Sequence, residues 1–136
     1  MPKFLKEYLR HDEINEYLDN LSDTYKNLVC VEVVGHTYEG RTIKAIKISV
    51  KNSKIKKKNS VLIDAATHAR EWISISVALY CIYQLVENNS SYINLLEAID
   101  VVIIPVVNAD GYEYTHNKVY YLLIFIWPNK NIIIYF

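Results

Sequence analysis

The sequence predicts an α/β fold: a mixed, partly parallel sheet with flanking helices. The first observation is a pair of strand-like segments, 28–34 and 42–50, joined by a glycine-containing loop. The second is a pair of apolar runs, 61–66 and 101–107, separated by a long helical segment, which is the pattern of a βαβ unit. The third is composition, because 136 residues with 51% hydrophobic and 22% charged residues suit one ordinary globular domain.

A helix is predicted over residues 11–27, ahead of the first strand. Apolar residues such as Ile14 and Leu18 recur there at helical spacing. Acidic residues, among them Glu13, fall in the first turn, where they suit the positive end of the helix dipole. This segment should therefore bury one apolar face.

The two segments that follow predict a β-hairpin at one edge of the sheet. Residues 28–34 are rich in valine, and residues 42–50 alternate between apolar and polar positions with one slip. Gly35 and Gly40 lie in the loop between them. We expect the two strands to pair in antiparallel fashion.

A lysine-rich tract, 51–59, has five lysines in nine positions. One interpretation is a small basic-loop binding module for nucleic acid or a membrane surface. Because no aromatic residue or arginine interrupts the lysines, a solvated loop between strands is favoured. The whole chain has fifteen basic and fifteen acidic residues, so its net charge of zero also predicts neither a nucleic-acid nor a membrane partner.

The remaining apolar segments predict the interior of the fold. Twelve of the sixteen residues in 72–87 are apolar, so we expect this helix to be sandwiched in the interior. A short helix is predicted over 92–98. The runs 61–66 and 101–107 should lie parallel to each other in the centre of the sheet, although Pro105 lacks the N–H that a ladder needs.

The last eighteen residues, 119–136, differ from the rest of the chain. Fourteen of them are apolar or aromatic, and their spacing is neither helical nor alternating. We predict that 1–118 form the domain and that 119–136 are not a native part of it but translated sequence from beyond an exon boundary. The test is a splice donor in the genomic sequence at the codon for Lys118.

His68 and Glu71 are the candidate metal ligands. They follow the apolar run 61–66 directly, and open α/β sheets place ligand sites at the carboxyl ends of their strands. A histidine nitrogen and a carboxylate oxygen both bind zinc, and a three-residue spacing lets them converge on one ion. The spacing alone fits a second interpretation, a capped helix start with a hydrogen-bonded histidine.

Three short motifs resemble landmarks of one enzyme family. THAREW at 67–72 resembles the zinc-binding signature of the carboxypeptidase A/B-type metallocarboxypeptidases. NADGYEYTH at 108–116 resembles their second landmark, and YEGRTI at 38–43 resembles the hairpin that opens their catalytic domain. The motifs occur in the family's order and spacing. The chain therefore resembles the N-terminal part of that catalytic domain and an incomplete version of the carboxypeptidase fold.

The resemblance implies a zinc-dependent carboxypeptidase that hydrolyses C-terminal residues from peptides or proteins. His68 and Glu71 match two of the family's three zinc ligands, and Arg70 matches an arginine that contacts the substrate. The segment 108–111 matches a turn that shapes the wall of the site, with Ala109 where the family usually has proline. The family is typically secreted, but the chain shows no signal peptide, so its compartment is left open.

The sequence also departs from the family. No residue of the chain matches the third zinc ligand, the general base, the arginine that polarises the scissile carbonyl or the pair that holds the substrate carboxylate. His116 is the only histidine after Glu71, and the family does not use its position as a ligand. We therefore expect no catalytic residue in this chain, one incomplete zinc site, and no activity of the chain alone. The alternatives are a non-catalytic fragment and the basic-loop binding module.

Overall fold

The computed structural model describes residues 2–55 and 57–117, and these residues form four strands and four α-helices around one apolar core. The strands are β1 (Val29–His36), β2 (Thr42–Ile48), β3 (Asn59–Asp64) and β4 (Ile99–Ile104). The α-helices are α1 (His11–Thr24), α2 (Trp72–Val86), α3 (Ile93–Ala98) and α4 (Ala109–Asn117). Short 3₁₀ helices occupy Lys3–Leu5 and Asn89–Ser91. The predicted tail, 119–136, lies outside the described residues.

The sheet has the strand order β1-β2-β4-β3. β1 pairs with β2 and β2 with β4 in antiparallel fashion, whereas β3 and β4 are parallel. The predicted mixed, partly parallel sheet and its hairpin are confirmed. The prediction that both parallel strands are central holds for β4, but β3 is the edge strand among the residues described, and Leu62 on it is 64% exposed.

The ends of several elements differ from the predicted ones for local reasons. α1 ends at Thr24, three residues early, where the Thr24 hydroxyl donates to the carbonyl of Asn20 at 2.7 Å. β4 ends at Ile104, immediately before Pro105, a residue that has no backbone N–H to donate to a sheet. Between β1 and β2 the register shifts near Val33, which is a β-bulge.

The core joins the sheet to the helices. Its fully buried side chains include Leu18 of α1, Ile46 of β2, Leu79 and Ile82 of α2, and Ile103 of β4. Removing such side chains from water is the main favourable term in folding.

The prediction that the apolar helix, now α2, is sandwiched in the interior is wrong for the part of the chain described. Only one of its faces is buried. Ile73 is 64% exposed, and Val77 and Tyr80 one and two turns further on are also exposed.

Lys51, Lys54 and Lys57 of the lysine-rich loop are exposed, whereas Lys58 is not. The Lys58 ammonium is almost buried and donates to the Ser49 hydroxyl and to the carbonyls of Val50 and Leu96, at 3.0, 2.9 and 2.8 Å. It also lies 3.6 Å from a carboxylate oxygen of Asp100. Lys58 is therefore an internal cation that joins the loop to the segment after β2, to α3 and to β4, and is not part of a free basic surface. Among residues 2–55 and 57–117, no helix combines the length and the apolarity required to cross a bilayer.

Candidate functional site

The candidate site lies where the two parallel strands end. Backbone pairing continues past β3 and β4, because Ala65 N–H donates to Ile104 and Val107 N–H donates to Ala65, both at 3.0 Å. The last bond of this series runs from Asn108 N–H to the Ala66 carbonyl at 3.1 Å. The segments that carry THAREW and NADGYEYTH therefore leave the sheet side by side.

Ala66 turns the chain out of the sheet. Its φ is 53°, in the left-handed region that a residue with a Cβ seldom adopts. The Ser74 hydroxyl in the first turn of α2 accepts the Ala66 N–H at 3.1 Å and holds this conformation. Strained backbone of this kind is common at functional sites, where the surrounding structure enforces it.

His68 and Glu71 lie together in the loop that follows. His68 Nδ1 is 3.1 Å from Glu71 Oε1, and the Glu71 N–H donates to the His68 carbonyl at 3.0 Å. Glu71 is also the N-cap residue of α2, and its carbonyl accepts both the N–H and the hydroxyl of Ser74. The two side chains are 76% and 49% exposed, so a ligand can reach both.

Arg70 lies between the two candidate ligands in sequence. Its side chain is exposed, and within the described part of the chain it makes no hydrogen bond or ion pair. Its guanidinium is therefore available to an anionic group, and a planar guanidinium binds a carboxylate through two parallel hydrogen bonds.

The segment predicted as a turn, 108–111, is instead the beginning of α4. Asn108 precedes the helix and its side-chain oxygen accepts the Gly111 N–H at 3.0 Å, as an N-cap residue does. Asp110 adds a negative charge in the first turn. The turn prediction is wrong because Asp110 and Gly111, although residues common in turns, follow the N-cap residue Asn108 and lie in the first turn of a helix.

α4 packs directly against the loop that holds His68. The Asn108 amide donates to the Thr67 carbonyl at 3.5 Å. A Cβ on Gly111 would lie 2.8 Å from the Ala69 Cβ and 2.7 Å from the Asn108 side-chain oxygen, closer than side chains tolerate. Glycine is thus required here by a close approach of the helix to the loop.

Asp110 connects α4 to the hairpin. One of its oxygens accepts the Thr37 hydroxyl at 2.7 Å and lies 2.6 Å from Arg41 Nη1, and the other accepts the Glu39 N–H at 3.0 Å. Desolvation acts to raise the pKa of Asp110, but these hydrogen bonds outweigh it and the pKa is lowered. Sequence reasoning missed this carboxylate, because Asp110 and Arg41 are 69 residues apart and no local spacing relates them.

His116 packs against Trp72, the residue that follows Glu71. Its ring stacks on Trp72 at a centroid distance of 4.2 Å and meets Tyr112 edge-on at 4.5 Å. Burial lowers the pKa of His116. In the described ranges, no three His, Cys, Asp or Glu side chains are close enough together to hold a metal ion.

The donor atoms of His68 and Glu71 suit one zinc ion as a pair. Two ligand atoms at about 2.1 Å from a tetrahedral zinc ion lie roughly 3.4 Å apart, close to the 3.1 Å between His68 Nδ1 and Glu71 Oε1. The pair is also open to solvent, and one nitrogen and one carboxylate oxygen are zinc's ordinary ligands. The same 3.1 Å distance also fits a hydrogen bond between the two side chains, as the second interpretation expects, although no side chain caps the first turn of α2.

Comparisons with known proteins place the chain in one family. The profile of the family described as zinc carboxypeptidase matches residues 14–128, a range that runs past Lys118. Carboxypeptidase B of Astacus astacus is 40% identical over 108 residues, and inactive metallocarboxypeptidase ECM14 of Saccharomyces cerevisiae is 40% identical over 116 residues. The crystal structure of carboxypeptidase A from Helicoverpa armigera superposes with a TM-score of 0.75 at 34% identity.

The match covers most of this chain but a small part of each relative. It covers 79% of this chain and 35% of the Astacus protein, and 82% of this chain and 27% of the yeast protein. For the Helicoverpa structure the figures are 81% and 27%. The chain thus spans about a third or less of the length of these relatives and forms part of their fold. With the profile match over residues 14–128, the chain belongs to the zinc carboxypeptidase family.

Proposed function

We propose that this chain supplies the zinc-binding and substrate-binding loop of a carboxypeptidase, with His68 and Glu71 as two zinc ligands and Arg70 as a substrate contact. The observation that carries the proposal is the 3.1 Å approach of His68 Nδ1 to Glu71 Oε1 in an exposed loop at the carboxyl end of a parallel strand. Family membership supports the choice of metal and reaction class. The chain spans only part of the length of its relatives. The carboxypeptidase activity of a whole protein is therefore also a proposal.

The residues of the loop have distinct roles in this proposal. His68 offers Nδ1 and Glu71 offers Oε1 to the metal. Zinc bound in a peptidase polarises the scissile carbonyl and activates water for attack on it. The Arg70 guanidinium binds the carbonyl or the terminal carboxylate of the peptide beside the metal, and so orients the bond to be cleaved.

A non-catalytic role is the second candidate. The chain is as similar to a relative named inactive, the yeast metallocarboxypeptidase, as it is to the Astacus carboxypeptidase B. A protein of this kind would keep the loop and its peptide-binding arginine without turnover. The basic-loop binding module is the weaker alternative, because Lys58 is engaged internally and the chain has no net charge.

Zinc binding by the purified 136-residue chain tests the proposal. Competition with a chromophoric chelator should give weak binding, since two protein ligands are fewer than the three of catalytic zinc sites. His68→Ala and Glu71→Ala should each weaken it at least about tenfold, because even loss of an outer partner of a ligand typically costs that much. His36→Ala, at an exposed histidine of β1, is the matched control and should leave the affinity unchanged.

Peptide binding tests the role of Arg70 separately. Chemical-shift changes on titration with an N-acetylated dipeptide should report binding of its free C-terminal carboxylate, and the C-terminally amidated dipeptide should bind more weakly. Arg70→Met should remove this difference, whereas Arg70→Lys should keep part of it. Equal zinc affinity for the His68→Ala and unmodified chains, or equal binding of the two dipeptides, would contradict the proposal.

A further inference from the structure

We infer that α4 positions the His68–Glu71 pair by holding Trp72, so that Thr115 and His116 are positioning residues for the metal loop. The inference rests on the proposed function, because it concerns the same site. Trp72 follows Glu71 directly and is the first residue of α2. Whatever holds its indole therefore fixes the backbone that carries Glu71.

Two contacts from one turn of α4 hold the indole. The Trp72 Nε1–H donates to Thr115 Oγ1 at 2.9 Å, and the indole stacks on His116 with an interplanar angle of 12°. The Thr115 hydroxyl donates its own proton to the Tyr112 carbonyl at 2.7 Å. Its oxygen lone pairs are thus directed to accept from the indole.

The His116 ring acts here through packing. Its Nε2 is buried without a hydrogen-bond partner among the described residues, a state that normally costs stability. Its faces and edges meet Trp72 and Tyr112 instead. A second aromatic contact, from Tyr8 at 5.2 Å, meets the indole edge-on. The indole is held by aromatic rings and by one directed hydrogen bond.

The loop between β3 and α2 is consequently fixed at both ends by the same helix. At its start, Asn108 donates to the Thr67 carbonyl and Gly111 packs against Ala69. At its end, Thr115 holds Trp72. His68 and Arg70, between these points, remain exposed. This arrangement holds the segment that carries the candidate metal ligands in place and leaves their side chains accessible to a metal ion or a peptide.

The test uses Thr115→Val in the full 136-residue chain, which removes the acceptor and keeps the shape of the side chain. Thr24→Val is the matched control, because the Thr24 hydroxyl also donates to a carbonyl of its own helix at 2.7 Å and belongs to the last turn of a different helix, α1. Thr115→Ser restores a hydroxyl. The two readouts are the zinc dissociation constant and the hydrogen exchange rate of the Glu71 amide, the latter relative to the buried Ile46 amide.

Thr115→Val should accelerate exchange of the Glu71 amide about fivefold relative to Ile46, the factor that corresponds to one ordinary hydrogen bond. It should also raise the zinc dissociation constant about tenfold. Thr24→Val and Thr115→Ser should stay within about twofold of the unmodified chain on both measures. If Thr115→Val does not fold, Trp72→Phe takes its place, since it removes the indole N–H and keeps a ring.

Unchanged Glu71 exchange in a folded Thr115→Val or Trp72→Phe variant would overturn the inference, as would equal acceleration in Thr24→Val. The exchange measurement requires no metal. If the unmodified chain binds no zinc, the proposed function fails, and the exchange rate still decides whether α4 positions the loop.

Discussion

Arg41 Nη1 lies 2.6 Å from Asp110 Oδ1, and this ion pair joins the β1–β2 hairpin to the first turn of α4. The Thr37 hydroxyl and the Glu39 N–H also donate hydrogen bonds to the Asp110 carboxylate. Through α4 the same carboxylate is connected to the loop of His68, which α4 contacts by way of Asn108. The three motifs that resemble the family's landmarks thus meet in space at α4.

Asp110→Asn should destabilise the chain and loosen the hairpin loop. An amide keeps the shape of the side chain but loses its charge and one of its two acceptor oxygens, so it cannot satisfy Thr37, Glu39 and Arg41 together. The melting temperature should fall, and hydrogen exchange of the Glu39 amide should accelerate. Asp23→Asn, at an exposed position of α1, is the matched control and should change neither.

Gly111→Ala should cost about 1–3 kcal/mol in the free energy of unfolding, the usual effect of forcing a methyl group into a filled space. The added Cβ would meet Ala69 and the Asn108 side chain. Gly35→Ala is the control, because a Cβ there meets no atom within 4 Å. Urea denaturation of the two variants measures both effects. Equal destabilisation of the two variants would show that the close approach of α4 to the loop does not exclude a side chain at residue 111.

The fold and the candidate ligand pair were predictable from the sequence because their signals are local. Periodicity identified α1, and the apolar runs around the long helix identified the parallel pair β3 and β4. The three-residue spacing of His68 and Glu71 after a strand indicated one site. Each of these patterns is visible within a short stretch of sequence, and the long helix between the two apolar runs indicates that they pair.

The contacts that support the site could not be predicted in this way. Trp72 meets Thr115 across 43 residues, and Lys58 meets Leu96 across 38, with no periodic pattern between them. The exposed face of α2 was also missed, because an apolar composition does not tell whether one face or both are covered. The cap at Asn108, followed by an acidic first turn, was a local signal for α4 that the turn-forming residues obscured.

The Glu113 carboxylate should make the free energy of unfolding depend on pH in the acid range. Desolvation acts to raise its pKa, but hydrogen bonds from the Arg10 guanidinium and the His11 N–H outweigh it, so the pKa is lowered. Between that lowered pKa and the ordinary value, the unfolded chain binds more protons than the folded one. The stabilisation is therefore fully present above the ordinary glutamate pKa of about 4.3 and is lost as the pH falls through the folded value.

Glu113→Gln should therefore lower the melting temperature at pH 7, and its difference from the unmodified chain should shrink as the pH falls below the ordinary glutamate pKa. Glu16→Gln, at an exposed glutamate of α1, should run parallel to the unmodified chain at all pH values. Thermal melts from pH 7 to pH 2.5 give the comparison. A difference between Glu113→Gln and the unmodified chain that stays constant from pH 7 to the acid end would contradict the assignment to Glu113.

Lys58→Met should destabilise the chain by about 1.5–3 kcal/mol, the range for hydrogen bonds to a charged group. The variant removes the charged donor to the carbonyls of Val50 and Leu96, which keep one backbone N–H donor each, and removes one cation from Asp100. Lys57→Met, at the exposed neighbour, should change stability by less than about 0.5 kcal/mol. Neither variant should alter affinity for nucleic acid, which we expect to be negligible at physiological salt. A salt-dependent affinity lost in Lys57→Met would instead support the basic-loop binding module.

The purified 136-residue chain should release no C-terminal residue from peptides, even with added zinc. Within the described ranges no third ligand joins His68 and Glu71, and a site with two protein ligands holds zinc weakly. We also expect this chain to lack a general base and a carbonyl-polarising group, whose contributions act together in the transition state. The assay uses peptides that end in aromatic, aliphatic and basic residues, on monodisperse protein, with a full-length carboxypeptidase as the positive control. Zinc-dependent release that disappears in His68→Ala and persists in His36→Ala would show that this chain assembles a complete catalytic site.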